Sequence, residues 1–250
     1  MDRGPGFGVD VGGSGIKGAP IDLETGELVA ERHKVATPQP ATPGAVAEAV
    51  AEVVSHFGWE GPVGATFPGV ITGGVARTAA NLDPSWVGTD VAAAFAEATG
   101  EPVVVVNDAD AAGLAEVRWG AARDHGGLVL VITFGTGIGT ALVHQGRVVP
   151  NIELGHIELD GVDAETRASA AAREREDLGW AEWAERVQRY LRAVESYLWP
   201  DLIVVGGGVS RRAKRWLPLI EIRTPLVAAA LQNQAGIAGA ALTAGAGTSG

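Results

Sequence analysis

Three glycine clusters, a carboxylate at the end of a valine run, and a glutamate–histidine pair carry most of the chemistry this sequence can offer. Asn107-Asp108-Ala109-Asp110 follows the four valines Val103–Val106. Side chains at the carboxyl ends of strands face the ligand crevice of an open α/β sheet, where Asp108 could take a proton from an attacking hydroxyl. Capping the following helix is the competing use, and one of Asn107, Asp108 and Asp110 is expected to serve it. Gly12-Gly13-Ser14-Gly15, Gly135-Thr136-Gly137 and Gly206-Gly207-Gly208 each follow an apolar run. Without Cβ atoms, such turns let several backbone N–H groups close on an anion. Ser14 and Thr136 add hydroxyls, and Lys17 adds a compact positive charge. Tight hairpins with no ligand give the same pattern, and neither the P-loop nor the dinucleotide glycine spacing is present. Asp10, closing the first run, could hold magnesium through water or simply bond its own turn.

Glu153-Leu154-Gly155-His156 sets a carboxylate and an imidazole three residues apart, a pair able to bond vicinal hydroxyls. Zinc is the competing idea, but the chain has no cysteine and no histidine after His156, so a metal is not expected there. Arg211, Arg212, Lys214 and Arg215 follow the third glycine cluster. Such runs are commonly solvated faces, yet beside a phosphate turn they could guide a polyanion.

Strands and helices must place these groups. Phe7–Val11 and Ile16–Ile21 read as strands around the first glycine turn, with a third strand in Leu28–Ala36. Thr42-Pro43 opens a helix with valines at helical spacing. Val63–Thr66, Val103–Val106, Leu128–Thr133 and Leu202–Val205 read as buried strands. Thr89 or Asp90 caps a helix that Gly100 stops, and another helix runs from about Ala109 to Trp119. Trp180 to Leu198 is a long amphipathic stripe that Pro200 ends. The first two glycine turns sit in similar strand–turn–strand units about 120 residues apart, as in a duplicated α/β chain or by coincidence in a glycine-rich one. At 250 residues and 46% hydrophobic the chain can bury a large core, and its lack of cysteine suits a reducing cytosol. No apolar run reaches the roughly 18 residues that span a bilayer, and the first residues lack a signal-peptide core. A net charge of -11 argues against general binding to nucleic acid or anionic membrane.

Taken in order, VDVGGSGIKGA, ATFPGVI, RTAANLDPSW, VVNDADAAGLAE, ITFGTGIGTALV, NIELGHIELDG, PDLIVVGGGVSRRAKRWLPL and LQNQAGIAGAAL resemble the ROK sugar kinases over nearly the whole chain. NDADAAG, TFGTGIGTA and ELGHIE are together specific, whereas GGGVS alone is not. The resemblance implies an α/β, two-lobed actin-like ATPase (ribonuclease H-like) fold with a central cleft. Residues 1–107 would form the smaller lobe, with a helix at about 235–246 packing back on it, and residues 108–234 the larger. It implies Asp108 as the base on a hexose 6-hydroxyl, with Asn107, Glu153 and His156 on the sugar and Gly69 and Asn81 nearby. Asp10, with a water-bridged magnesium, Gly12, Gly13, Ser14 and Lys17 fall in the first phosphate motif. Gly135, Thr136 and Gly137 fall in the second, and Gly206, Gly207 and Gly208 lie where other members approach a nucleotide. Many ATP-dependent members carry a cysteine-rich zinc motif after the Glu-x-Gly-His element. This chain has VDAETRASAAAREREDLGW there, so zinc is not expected, and Glu165 stands in for the glutamate that motif supplies to the sugar site. The shortened form is similar to members that use inorganic polyphosphate as donor to glucose, with ATP as a further donor, and the cations at 211–215 agree with a long donor. The expectation is a cytoplasmic, homodimeric kinase. The alternatives are an ATP-dependent glucokinase, a glucomannokinase, or a sugar-sensing regulator. Regulators of this kind carry an N-terminal DNA-binding segment, whereas here the first strand begins within about seven residues of Met1.

Overall fold

The computed structural model describes residues 4–79 and 82–246. Contacts divide the chain into two units, 1–115 with 234–250 and 116–233.

In the first unit, β1 (Gly6–Gly12), β2 (Gly15–Ile21), β3 (His33–Val35), β4 (Val63–Phe67) and β5 (Val103–Asn107) form one sheet in the order β3-β2-β1-β4-β5. β1 and β2 are antiparallel, closing at Gly12 opposite Gly15, and β4 and β5 run parallel to β1. Parallel neighbours need crossovers, which α1 (Pro43–His56) and α2 (Val91–Thr99) supply. Phe7, Val9, Val11, Ala65 and Phe67 alternate onto one face with Val46, Val50 and Val53 of α1 and Phe95 of α2. The other face of β1 and β4 carries Gly8 and Gly64, against α7 (Ala235–Ala246). A Cβ at Gly64 would fall 1.8 Å from the Ala240 carbonyl oxygen, so the sheet is bare there to admit a helix of small residues.

In the second unit, β6 (Leu128–Phe134), β7 (Ile138–His144), β8 (Arg147–Val149), β9 (Leu202–Gly207) and β10 (Leu226–Ala228) are ordered β8-β7-β6-β9-β10. Their directions repeat those of the first sheet strand for strand: β7 antiparallel to β6, β9 and β10 parallel to it. The echo between the two glycine turns is therefore an echo of whole sheets. Leu130, Ile132 and Phe134 face α6 (Trp180–Leu198), whose Trp183, Val187, Tyr190, Leu191 and Val194 are buried. Val129, Val131, Ala141 and Val143 form a second layer with Ala122. The short helices α4 (Glu165–Ala168) and α5 (Ala170–Arg175) precede α6.

Most expected elements form, with two local differences. Only His33–Val35 pairs in the stretch where a strand was expected over Leu28–Ala36, while Leu28 makes an isolated bridge to Ile21. Exposed Glu31 and Arg32 lie between, and neither has an apolar face to bury. Thr42 is the N-cap residue of α1 but makes no side-chain cap bond, whereas Asp90 accepts from Ala93 N at 2.9 Å. Among the described residues, no helix is long and apolar enough to cross a membrane.

Candidate active site

α3 (Asp108–Arg118) starts where β5 ends. Asn107 Oδ1 accepts from the backbone N of Ala109 at 2.8 Å and of Asp110 at 3.1 Å, which is the capping role. Its amide Nδ2 donates to the Gly69 carbonyl at 3.1 Å, fixing the flip of the side chain. Asn107 and Asp110 are buried, and Asp108 is exposed at the strand end. One Asp108 oxygen takes the Ala109 N–H at 2.9 Å. Gly69 stands against Thr78, whose carbonyl oxygen would lie 2.6 Å from a Cβ there. Asn81 lies outside the described residues.

The first glycine turn belongs to the same sheet. Asp10 Oδ2 pairs with Lys17 Nζ at 2.9 Å, and Oδ1 accepts from Thr66 Oγ1 at 2.9 Å. Register explains the pair, since Asp10 and Lys17 are cross-strand partners. Lys34 is in turn the partner of Lys17, and its Nζ lies 3.3 Å from the position of a Cβ at Gly15. Thr66 and Lys34 were not singled out in the sequence, because only the strand register brings them to Asp10 and to the turn. Gly13 and Ser14 are exposed at the tip.

In the second unit, Gly135 and Thr136 are exposed at the turn between β6 and β7. Glu153 to His156 lies beside β7 because Thr140 Oγ1 donates to the Ile152 carbonyl and accepts from Leu154 N at 3.0 Å. Gly155 allows the close approach, since a Cβ would fall 2.0 Å from the Ile138 carbonyl oxygen. His156 Nδ1 is 2.8 Å from Asp163 Oδ2, its Nε2 is 4.0 Å from Glu153 Oε2, and Nδ1 is 4.0 Å from Glu165 Oε1. The hydrogen bond to Asp163 holds the imidazole above its ordinary value, with the surrounding carboxylates adding to it and partial burial opposing. Burial pushes the Glu153 carboxyl up, against the pull of His156 and with a push from Glu165. Asp163, which the sequence did not flag, thus orients the ring and favours its protonated form. The ligand atoms of His156, Asp163 and Glu165 lie within 4.8 Å of one another, a spacing that could hold a metal ion; it is equally that of a histidine bonded to a carboxylate.

Glu165 Oε2 accepts from Ile138 N at 3.0 Å, so this side chain touches both the glycine turn and the histidine cluster. Gly206 and Gly207 close β9, Gly207 with φ 79°, and Gly208 opens a short 3₁₀ stretch running to Arg215. Arg211, Arg212, Lys214 and Arg215 are all exposed on it. Arg212 alone of the four lines a cavity that Gly135, Thr136 and Gly208 also line.

With this geometry in view, residues 6–173 match the description of the ROK family. The chain is 57% identical over 238 residues to the polyphosphate glucokinase of Mycobacterium tuberculosis, covering 95% of this chain and 90% of that protein. It is 54% identical over 241 residues to the polyphosphate glucokinase of Mycobacterium leprae, covering 96% and 74%. The crystal structure of an inorganic polyphosphate/ATP-glucomannokinase from Arthrobacter sp. strain KM superposes with a TM-score of 0.94 at 53% identity, over 98% of this chain and 99% of that one.

Proposed function

This chain belongs to the ROK family of sugar kinases, and from that membership we propose that it is a glucokinase using inorganic polyphosphate, and ATP as a second donor. The observation that carries the assignment of the base is the division of labour at the end of β5: Asn107 caps α3, and Asp108 stands exposed beside it. Asp108 accepts the proton of the glucose 6-hydroxyl as O6 attacks the terminal phosphorus. The new P–O6 bond forms while the bridging P–O bond breaks, and the departing chain keeps that electron pair as a polyphosphate one unit shorter. Positioning and charge neutralisation supply most of the rate.

Asn107, Glu153, His156 and Glu165 bind the sugar hydroxyls in this reading, with Gly69 and Asn81 shaping their surroundings. A protonated His156 donates, and Glu153 and Glu165 accept. The backbone N–H groups of Gly12, Gly13, Gly135, Gly137 and Gly206–Gly208, with Ser14, Thr136 and Lys17, take the donor phosphates, and Arg211, Arg212, Lys214 and Arg215 take its length. Asp10 suits magnesium held through water, because each carboxylate oxygen has a lone pair beyond its bond to Thr66 or Lys17. The ion would neutralise donor charge. We place the enzyme in the cytoplasm as a homodimer, the exposed Tyr197 in the last turn of α6 and Trp199 just beyond it offering apolar surface.

The deciding assay supplies purified protein with polyphosphate or ATP, each against glucose and mannose. Glucose 6-phosphate formed from polyphosphate is the expected result, and no turnover with polyphosphate would overturn the donor. Mannose is a second acceptor worth including, since the Arthrobacter enzyme at 53% identity is a glucomannokinase.

A further inference from the structure

A cavity of about 450 Å³ adjoins the second glycine turn, its lining including Gly135, Thr136, Arg173, Trp180, Gly208 and Arg212. All of these residues belong to the second unit. Arg173 lies with its guanidinium 4.0 Å from the centroid of the Trp180 ring, and Arg215 lies 5.8 Å from the same ring. Stacking of this kind holds a guanidinium by its flat face and leaves its edge donors for another partner. Those donors are unused. Arg173 Nε is buried with no hydrogen-bond partner, and neither Arg173 nor Arg212 forms an ion pair among the described residues. A buried guanidinium donor without an acceptor is costly. In a chain of net charge -11, two arginines without an ion-pair partner line this one cavity and leave it locally cationic. Among the described residues, Glu174 is the one acid lining the cavity, and it is exposed.

We propose that Arg173, clamped on Trp180, binds the phosphates of inorganic polyphosphate that follow the one transferred, with Arg212 beside it. The proposal rests on the kinase reading above and adds residues outside the basic run at 211–215. The guanidinium edge pairs two phosphate oxygens at once, a geometry that a lysine cannot match. The indole serves as a shelf that fixes the arginine before the donor arrives, so little ordering is lost on binding. Loss of Trp180 therefore weakens donor binding through Arg173.

Arg173→Met keeps the length and apolar stem on the indole and removes the phosphate donors. The expected result is a rise of about tenfold in KM for long-chain polyphosphate, with kcat and the KM for glucose within about twofold of wild type. The dependence of that KM on salt should become shallower, because one fewer cation engages the polyanion. Arg173→Lys should fall between the two, and Trp180→Leu should move KM in the same direction by less. An unchanged polyphosphate KM in Arg173→Met, or a glucose KM that rises by the same factor, would overturn the assignment. A wild-type enzyme inactive with polyphosphate would instead sink the donor reading itself, so the two failures are separable. If Arg173→Met does not fold, Arg173→Lys carries the test: a polyphosphate KM and salt slope equal to wild type would overturn the bidentate role.

Discussion

Glu165 holds the second glycine turn from below: its Oε2 accepts the backbone N–H of Ile138 at 3.0 Å. The same oxygen would lie 2.2 Å from a Cβ at Gly137. A side chain proposed to bind the sugar is thus also the support of the turn proposed to bind phosphate, and its other oxygen is 4.0 Å from His156.

That contact makes Gly137 and Glu165 an energetic pair. Gly137→Ala should destabilise the protein by about 1–3 kcal/mol, because the added methyl must displace the carboxylate. In a Glu165→Ala background the same methyl meets no oxygen and should cost far less. Denaturant unfolding of the four proteins measures the coupling, and additive losses would contradict the contact.

His156 gives the protein a pH-dependent term. Its hydrogen bond to Asp163 raises the imidazole above its ordinary value. Such a group stabilises the fold fully below the unfolded value and loses its contribution as pH rises through the folded one. The melting temperatures of wild type and Asp163→Asn should therefore differ most below the unfolded imidazole value, and the gap should narrow as pH rises through the folded one. An NMR titration should show the His156 midpoint moving to lower pH in the variant. A pH-independent gap would contradict the pairing.

Glu116 anchors a loop remote in sequence. This buried side chain on α3 accepts from the backbone N of Ala121 at 2.8 Å, Ala230 at 3.1 Å and Leu231 at 2.8 Å. Glu116→Ala leaves those three amides without that acceptor, and a loss of about 3 kcal/mol or more is expected in chemical denaturation. Glu116→Gln, which keeps one acceptor oxygen, should lose less. Equal stability of Glu116→Ala and wild type would contradict the anchoring role.

Gly155 sets the approach of the Glu153–His156 segment to β7. An alanine Cβ would meet the Ile138 carbonyl oxygen at 2.0 Å, so Gly155→Ala must push the segment away. The KM for glucose should rise about tenfold or more, since a displacement of this size breaks hydrogen bonds, while the donor KM changes by less. Equal changes in both would show that the segment does not serve the sugar.

What the sequence made legible were features with local causes. Gly100 ends α2 in the left-handed conformation at φ 75°, Asp90 caps it, and the valine spacing of α1 matches its buried face. The glycine turns and Asn107-Asp108 were readable for the same reason, each lying at the end of an apolar run. Asp163, Thr66, Lys34, Arg173 and Glu116 were not. Their roles come from partners across a sheet or far along the chain, such as Thr66 with Asp10 and Glu116 with Leu231. Residue type and spacing carry no record of such pairing. Within Leu28–Ala36 the expected third strand forms, but only over His33–Val35, beyond the exposed Glu31 and Arg32.

In the proposed reaction the Asp108 carboxylate takes the proton from the sugar hydroxyl. Asp108→Asn retains the shape of the side chain and removes its basicity. Steady-state turnover with polyphosphate and glucose, read beside glucose binding by calorimetry, should show kcat reduced by about 10²–10⁴-fold with glucose affinity nearly unchanged. Turnover within a few-fold of wild type would contradict it.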